Sequence, residues 1–64
     1  MTSDLFVRWE NGTAVRIHHR AVKVMGAYEI RNRETGKVVD VVFSSKRSDV
    51  ERALVKADSQ AAPS

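Results

Sequence analysis

Apolar and polar residues alternate along most of the chain up to residue 43, which is the pattern of β-strands with one buried face. We expect strands over residues 5–10, 13–17, 27–32 and 37–43. Residues that tolerate positive φ separate these strands and mark the turns: Asn11-Gly12, Gly26 and Gly36. The pattern therefore predicts an antiparallel meander.

The register of the first hairpin follows from keeping apolar side chains on one face. A three-residue loop that ends in a bulge at Gly12 pairs Trp9 with Thr13 and Val7 with Val15. A two-residue loop would mix charged and apolar side chains on both faces. We therefore predict the three-residue loop.

Residues 14–25 fit two structures. Their β-branched side chains favour a strand. A helical stripe is also present at Ala14, Ile17, Ala21, Val24 and Met25. We predict a strand with a break near His18 and His19, and helix remains the alternative.

The loop that contains Gly36 is predicted to pair Ile30 with Val39 and Tyr28 with Val41. The core face of the last strand is then formed by Val39, Val41 and Phe43. One helix covers only one face of a small sheet, so the opposite face is left for a partner. The predicted partner-binding residues on that face are Ala27, Arg31, Val38 and Val42.

The end of the chain carries a helix signal. Ser48 and Glu51 have the spacing of a capping box, in which each side chain binds the backbone amide of the other residue. Apolar residues follow at helical spacing and predict a helix from about Asp49 to Asp58. The predicted fold is α+β: an antiparallel meander of three or four strands with one C-terminal helix packed on one face. A single domain over 5–58 would lie between a short N-terminal tail, 1–4, and a disordered C-terminal tail, 59–64.

Length and composition narrow the function classes. The chain has 64 residues and no cysteine, so disulfides and thiolate metal sites are excluded. The residues contain neither a secretory signal pattern nor an apolar run of the roughly 20 residues that span a bilayer. We expect a cytoplasmic protein.

No motif in the sequence predicts catalysis. His18 and His19 are adjacent, so on a strand they point to opposite faces and do not share a metal ion. Ser48 is explained by helix capping, and the glycines lie in turns rather than in a phosphate-binding loop. We therefore expect no enzyme activity, no cofactor and no bound metal.

The net charge of +3 is concentrated in the first part of the chain. Between Arg8 and Lys37, seven Lys and Arg side chains face three Glu side chains. A basic sheet of this kind can contact phosphates. The candidate nucleic-acid-binding residues are Arg16, Arg20, Lys23, Arg31, Arg33 and Lys37. The alternative is a solvated face with cross-strand ion pairs, such as Arg31 with Asp40.

Four segments carry a resemblance to known sheet–helix domains: 28–31, 35–37, 43–46 and 50–54. Together they resemble the arm-binding N-terminal domain of tyrosine recombinases and its plant DNA-binding relatives, and also a group of small uncharacterised bacterial domains. The first resemblance implies a sheet that enters the major groove of DNA. It covers about half of the chain.

Two function classes follow. The first is a small protein-interaction module, for example a phage- or plasmid-encoded inhibitor or accessory protein, that forms a homodimer or binds a partner's surface. The alternative is a small nucleic-acid-binding regulator that uses the basic sheet. We favour protein binding, because the last strand is apolar on both faces.

Overall fold

A computed structural model describes residues 7–61. It shows an antiparallel sheet in the order β1-β2-β3-β4-β5 and one helix, which confirms the α+β class. The bounds are β1 Arg8–Glu10, β2 Thr13–Val15, β3 His19–Val24, β4 Ala27–Asn32, β5 Val38–Val42 and α1 Arg47–Ala61. The sheet has five strands rather than three or four. The break expected near the histidines is a full chain reversal, so residues 14–25 belong to two strands and to no helix.

The first hairpin has a two-residue turn, and the predicted three-residue loop is wrong. Asn11 and Gly12 have φ values of 51° and 78°, the combination of a type I′ turn, whose twist matches that of the strands. This turn pairs Trp9 with Ala14 and Arg8 with Val15. The expectation failed because it paired large apolar residues, whereas the inward position of β2 holds an alanine.

The core lies between α1 and the inner face of the sheet. One cross-strand row of this inner face is formed by Trp9, Ala14, Ala21, Ile30 and Asp40. Its two alanines and Ile30 are fully buried, as are Val50 and Leu54 on the helix. The two alanines let the helix backbone approach the sheet closely, and Ile30, Val50 and Leu54 fill the core with larger side chains.

A β-bulge shifts the register of β5 by one residue. Ile30 pairs with Asp40 and Tyr28 with Val42, with the irregularity between Ile30 and Arg31. The extra residue reverses the alternation expected along β5. Val42 therefore packs against the core, and the predicted core residues Val39, Val41 and Phe43 are exposed.

The start of α1 is held by different bonds from those of the predicted capping box. The helix begins at Arg47, so Ser48 lies inside the first turn and is exposed. The Glu51 carboxylate accepts a 2.6 Å hydrogen bond from Trp9 Nε1 instead of binding its own helix terminus. The Arg47 guanidinium lies 4.7 Å from the Trp9 ring centroid, a cation–π distance. These contacts join the helix start to β1.

The helix continues beyond the predicted end. It runs to Ala61, so the first three residues of the expected disordered tail are helical. The reason is that Asp58 is an anchored residue in the helix rather than its last one, as described below. The expected N-terminal tail, 1–4, and the remainder of the C-terminal tail lie outside the described residues, as do Leu5 and Phe6.

The turn between β3 and β4 contains one residue in a strained backbone conformation, Met25. Met25 and Gly26 have φ values of 48° and 83°, again a type I′ turn, yet Met25 is a residue that disfavours positive φ. Met25 is 99% exposed, so its side chain makes no compensating packing contact.

We expect Met25→Asn to raise the free energy of unfolding by roughly 0.5–1 kcal/mol, because asparagine adopts the left-handed conformation at a lower cost. Urea denaturation measures this. Asn11→Met, at the equivalent position of the other turn, should lower stability by a similar amount, and equal stability of all three proteins would refute the turn assignment.

Candidate functional site

The face of the sheet opposite α1, called here the outer face, is not covered by any helix or strand of the described residues. One cross-strand row spans all five strands: Arg8, Val15, Arg20, Arg31 and Val38. Two shorter rows follow it: Val22, Glu29 and Val41, then Val24 and Ala27. This surface therefore combines five valines with three arginines, and Val24, Val38 and Val41 are 38–43% exposed.

Most charges of the outer face are paired along their own strands. Arg8 Nε lies 2.6 Å from Glu10 Oε2, and Arg31 Nη2 lies 2.7 Å from Glu29 Oε1. Arg31 Nη1 also donates to the Gly36 carbonyl at 3.0 Å. Residues two apart on a strand share a face, which explains these pairs. The expected pair of Arg31 with Asp40 is wrong, because the bulge in β5 puts Asp40 in the inner row.

Arg20 differs from the other two arginines of the row. It lies between Val15 and Arg31, is exposed, and has no hydrogen bond or ion pair with any residue of the described chain. Its guanidinium is therefore the cation of the outer face that is available to a binding partner.

The four predicted partner-binding residues do not form one surface. Arg31 and Val38 are paired neighbours on the outer face. Ala27 is on the same face but is buried beneath its neighbours. Val42 points to the core, so the exposed valine near the end of β5 is Val41.

The predicted nucleic-acid-binding cations are also dispersed. Arg20 and Arg31 share the outer face, whereas Lys23 pairs with Tyr28 in an inner row. Arg33 donates to the Arg16 and Ile17 carbonyls and braces the β2–β3 loop. Lys37 is exposed in the loop before β5. Arg16 is mostly buried and contacts a carboxylate, so it does not extend the basic surface.

That carboxylate belongs to Asp58, which is 5% exposed and ties the last part of α1 to the β2–β3 loop. Asp58 accepts the His18 backbone amide at 3.1 Å and faces Arg16 Nε at 3.6 Å. The His19 ring, 3% exposed, places Nδ1 3.0 Å from Asp58 Oδ1. A carboxylate only accepts, so Nδ1 is the donor and a neutral ring keeps its lone pair on Nε2. His19 is thus buried, whereas the adjacent His18 side chain is exposed.

His19 also forms part of the wall of an open cleft of about 370 Å³. The other lining residues are polar or small: Asn32, Val39, Asp40, Lys56, Ala57 and Gln60. A carboxylate-oriented imidazole can act as a base or a ligand. The cleft lining, however, includes no hydroxyl or thiol nucleophile among the described side chains. Residues 7–61 also contain no group of three His, Asp or Glu side chains that could hold a metal ion.

Sequence reasoning missed the Asp58 cluster although a signal for it exists. Val50, Leu54 and Asp58 are spaced four residues apart, so Asp58 continues the buried stripe of the helix. A carboxylate on such a stripe requires buried donors. The neighbouring basic loop was the place to expect them.

No protein-family model, no curated protein and no solved structure matches this chain. Within the described residues, α1 is too short and too polar to cross a membrane.

The two adjacent histidines provide a matched test of the Asp58 cluster. His19→Ala removes a buried donor to Asp58, and we expect it to lower the free energy of unfolding by about 3 kcal/mol, as when one partner of a buried pair is lost. His18→Ala keeps the backbone amide that Asp58 binds, so we expect a change within about 0.5 kcal/mol. Thermal or urea unfolding of both variants measures the difference. Equal effects would show that the His19 ring does not hold the helix.

Proposed function

We propose that this protein is a non-enzymatic module that binds another protein through the outer face of its sheet. The observation that carries the proposal is the composition of that face, in which the exposed Val24, Val38 and Val41 lie beside a row that contains three arginines, while α1 covers the opposite side. An apolar patch bordered by polar groups is typical of an interaction site.

The residue types of the outer face support a protein partner. Interface cores are enriched in apolar residues and arginine and depleted in lysine. The cations in the cross-strand row are Arg8, Arg20 and Arg31. The pairs that Arg8 and Arg31 form with glutamates hold their guanidinium groups in place, which lowers the side-chain entropy lost on binding.

The same pairs argue against nucleic acid as the first choice. Glu10 and Glu29 lie on the same face and would meet the phosphates that Arg8 and Arg31 were to bind. Arg20 is the observation in favour of the second candidate, a nucleic-acid-binding regulator, because its charge is available. A single available cation on the described part of the outer face supports only weak binding at that face, since each neutralised phosphate adds only one step of salt dependence.

The proposal of a non-enzymatic role has its own support. The oriented His19 ring lies beside a cleft and resembles a catalytic group, but its carboxylate partner also accepts the backbone amide of His18 and contacts Arg16. These bonds give the cluster a structural purpose. A histidine that holds a helix in place needs no substrate to explain it.

The test compares three tagged proteins in a lysate of the source cells: the natural chain, Val24→Lys on the outer face, and Arg52→Glu on the exposed side of α1. A protein captured by the natural chain after nuclease treatment is then purified and titrated against all three. We expect Val24→Lys to weaken its binding at least about tenfold, the effect of losing a contact worth 1.4 kcal/mol, and Arg52→Glu to leave it unchanged.

Two results would contradict the proposal. Equal binding by Val24→Lys and the natural chain would show that the outer face is not the contact surface. Loss of every captured protein on nuclease treatment, with a salt-sensitive shift of labelled DNA or RNA that Arg20→Ala weakens, would favour the nucleic-acid regulator instead.

A further inference from the structure

The two edges of the sheet differ in how well they resist pairing with another strand. An edge strand exposes backbone donors and acceptors, and proteins usually protect such edges with charges, short strands or bulges. The β1 edge has three residues, two of which form the exposed Arg8–Glu10 ion pair. The β5 edge has five residues, four of them valine, and the 86% exposed Phe43 follows it. Within residues 7–61, β5 is therefore the strand that offers an apolar edge.

We infer that β5 pairs antiparallel with β5 of a second copy of this chain and forms a closed two-fold dimer. The difference between the two edges indicates that the strand paired with β5 comes from a second copy. Pairing of β5 with β5 consumes both apolar edges, and the resulting ten-stranded sheet ends on a charged β1 at each side. A strand from an unrelated protein would need its own matching edge, whereas a second copy supplies one by symmetry.

The register of this pairing is restricted by three features of β5. Centring the two-fold axis on Asp40 would place two carboxylates opposite each other, which is unfavourable. Centring it on Val39 would use the bulged residue, where the ladder is irregular. Val42 is the last residue of the strand. The axis therefore passes beside Val41, which faces Val41 of the second copy, with Phe43 beside the partner's Val39.

One hydrogen bond of the free edge must break before β5 can pair with a second chain. The Val41 amide donates to Asp40 Oδ1 at 2.8 Å, so the Asp40 carboxylate occupies the amide at the centre of the edge. Asp40 and Lys56 line the same cleft. When Val41 pairs with a second chain, we expect the Lys56 ammonium to attract the released Asp40 carboxylate. Asp40 thus weakens the dimer without preventing it.

The dimer goes beyond the proposed binding function and is independent of it. A two-fold axis that relates antiparallel edges is perpendicular to the sheet, so both helices lie on one side and both outer faces on the other. The two outer faces then form one continuous surface with doubled valine and arginine rows. A partner that recognises this surface would engage both copies at once.

Cysteine cross-linking tests the register, because the natural chain has no cysteine. Val41→Cys places two thiols opposite each other at a distance that a disulfide spans, and we expect mild oxidation to convert most of the protein to covalent dimer. Val24→Cys is the control, since both valines are 38% exposed and Val24 lies on β3, away from the edge. Equal cross-linking of the two variants, or none in Val41→Cys, would overturn the proposal.

Light scattering of the unmodified chain gives the independent measurement. We expect a mass that approaches twice the chain mass of 7.2 kDa with rising concentration, and a dimer that resists dilution more strongly in Asp40→Ala. Val41→Lys should halve the mass while circular dichroism still shows a folded chain, and Val24→Lys should leave the dimer intact.

A natural chain that stays monomeric at all concentrations, or assembles beyond the dimer, would overturn the inference. Loss of partner binding in Val24→Lys with an intact dimer separates this test from that of the proposed function.

Discussion

The structure is governed by one geometric constraint: a single helix can cover only one side of a five-stranded sheet. Strands are spaced about 4.8 Å apart, so the sheet is roughly 20 Å wide. A helix with its side chains is about 10 Å across and covers about half of that width. Here α1 packs on β3, β4 and β5, and Trp9 reaches from β1 to meet it. The outer face has no covering element in the described chain.

The position of the helix on this sheet is fixed near both ends by polar bonds that are partly or fully buried. The apolar contacts of Val50 and Leu54 would permit sliding, because apolar packing has little directionality. Near the helix start, Glu51 accepts from Trp9, and near its end, Asp58 holds the His18 amide and the His19 ring. Hydrogen bonds of this kind specify one arrangement, since a shift would leave buried polar groups without partners.

Much of the architecture can be predicted from local signals, and the errors have two physical origins. Alternation, the Asn11-Gly12 turn and the helical stripe around Leu54 are short-range patterns, so they predict the antiparallel meander and the helix correctly. The bulge in β5 is set by pairing with β4, which the sequence of β5 alone does not reveal; it turned Val42 inward and Val41 outward. The first hairpin failed because inward residues were assumed to be large.

The candidate site was predictable to a similar degree. Arg31 and Val38 lie on the outer face as expected, because the bulge shifts the register only for the residues of β5 that follow Val38. The Asp58 cluster combines residues some 40 positions apart, and only the packed helix brings them together. Long-range polar contacts of this kind have no local pattern, apart from the carboxylate on an apolar stripe.

Because α1 covers the inner face alone, the valines of the outer face are exposed to solvent. Methyl NMR with a soluble paramagnetic agent measures this directly in dilute protein. We expect strong broadening of the Val24 and Val38 methyl signals and little broadening at Val50 and Leu54. Equal protection of all four residues would contradict this expectation, because it would mean that another part of the chain covers the outer face.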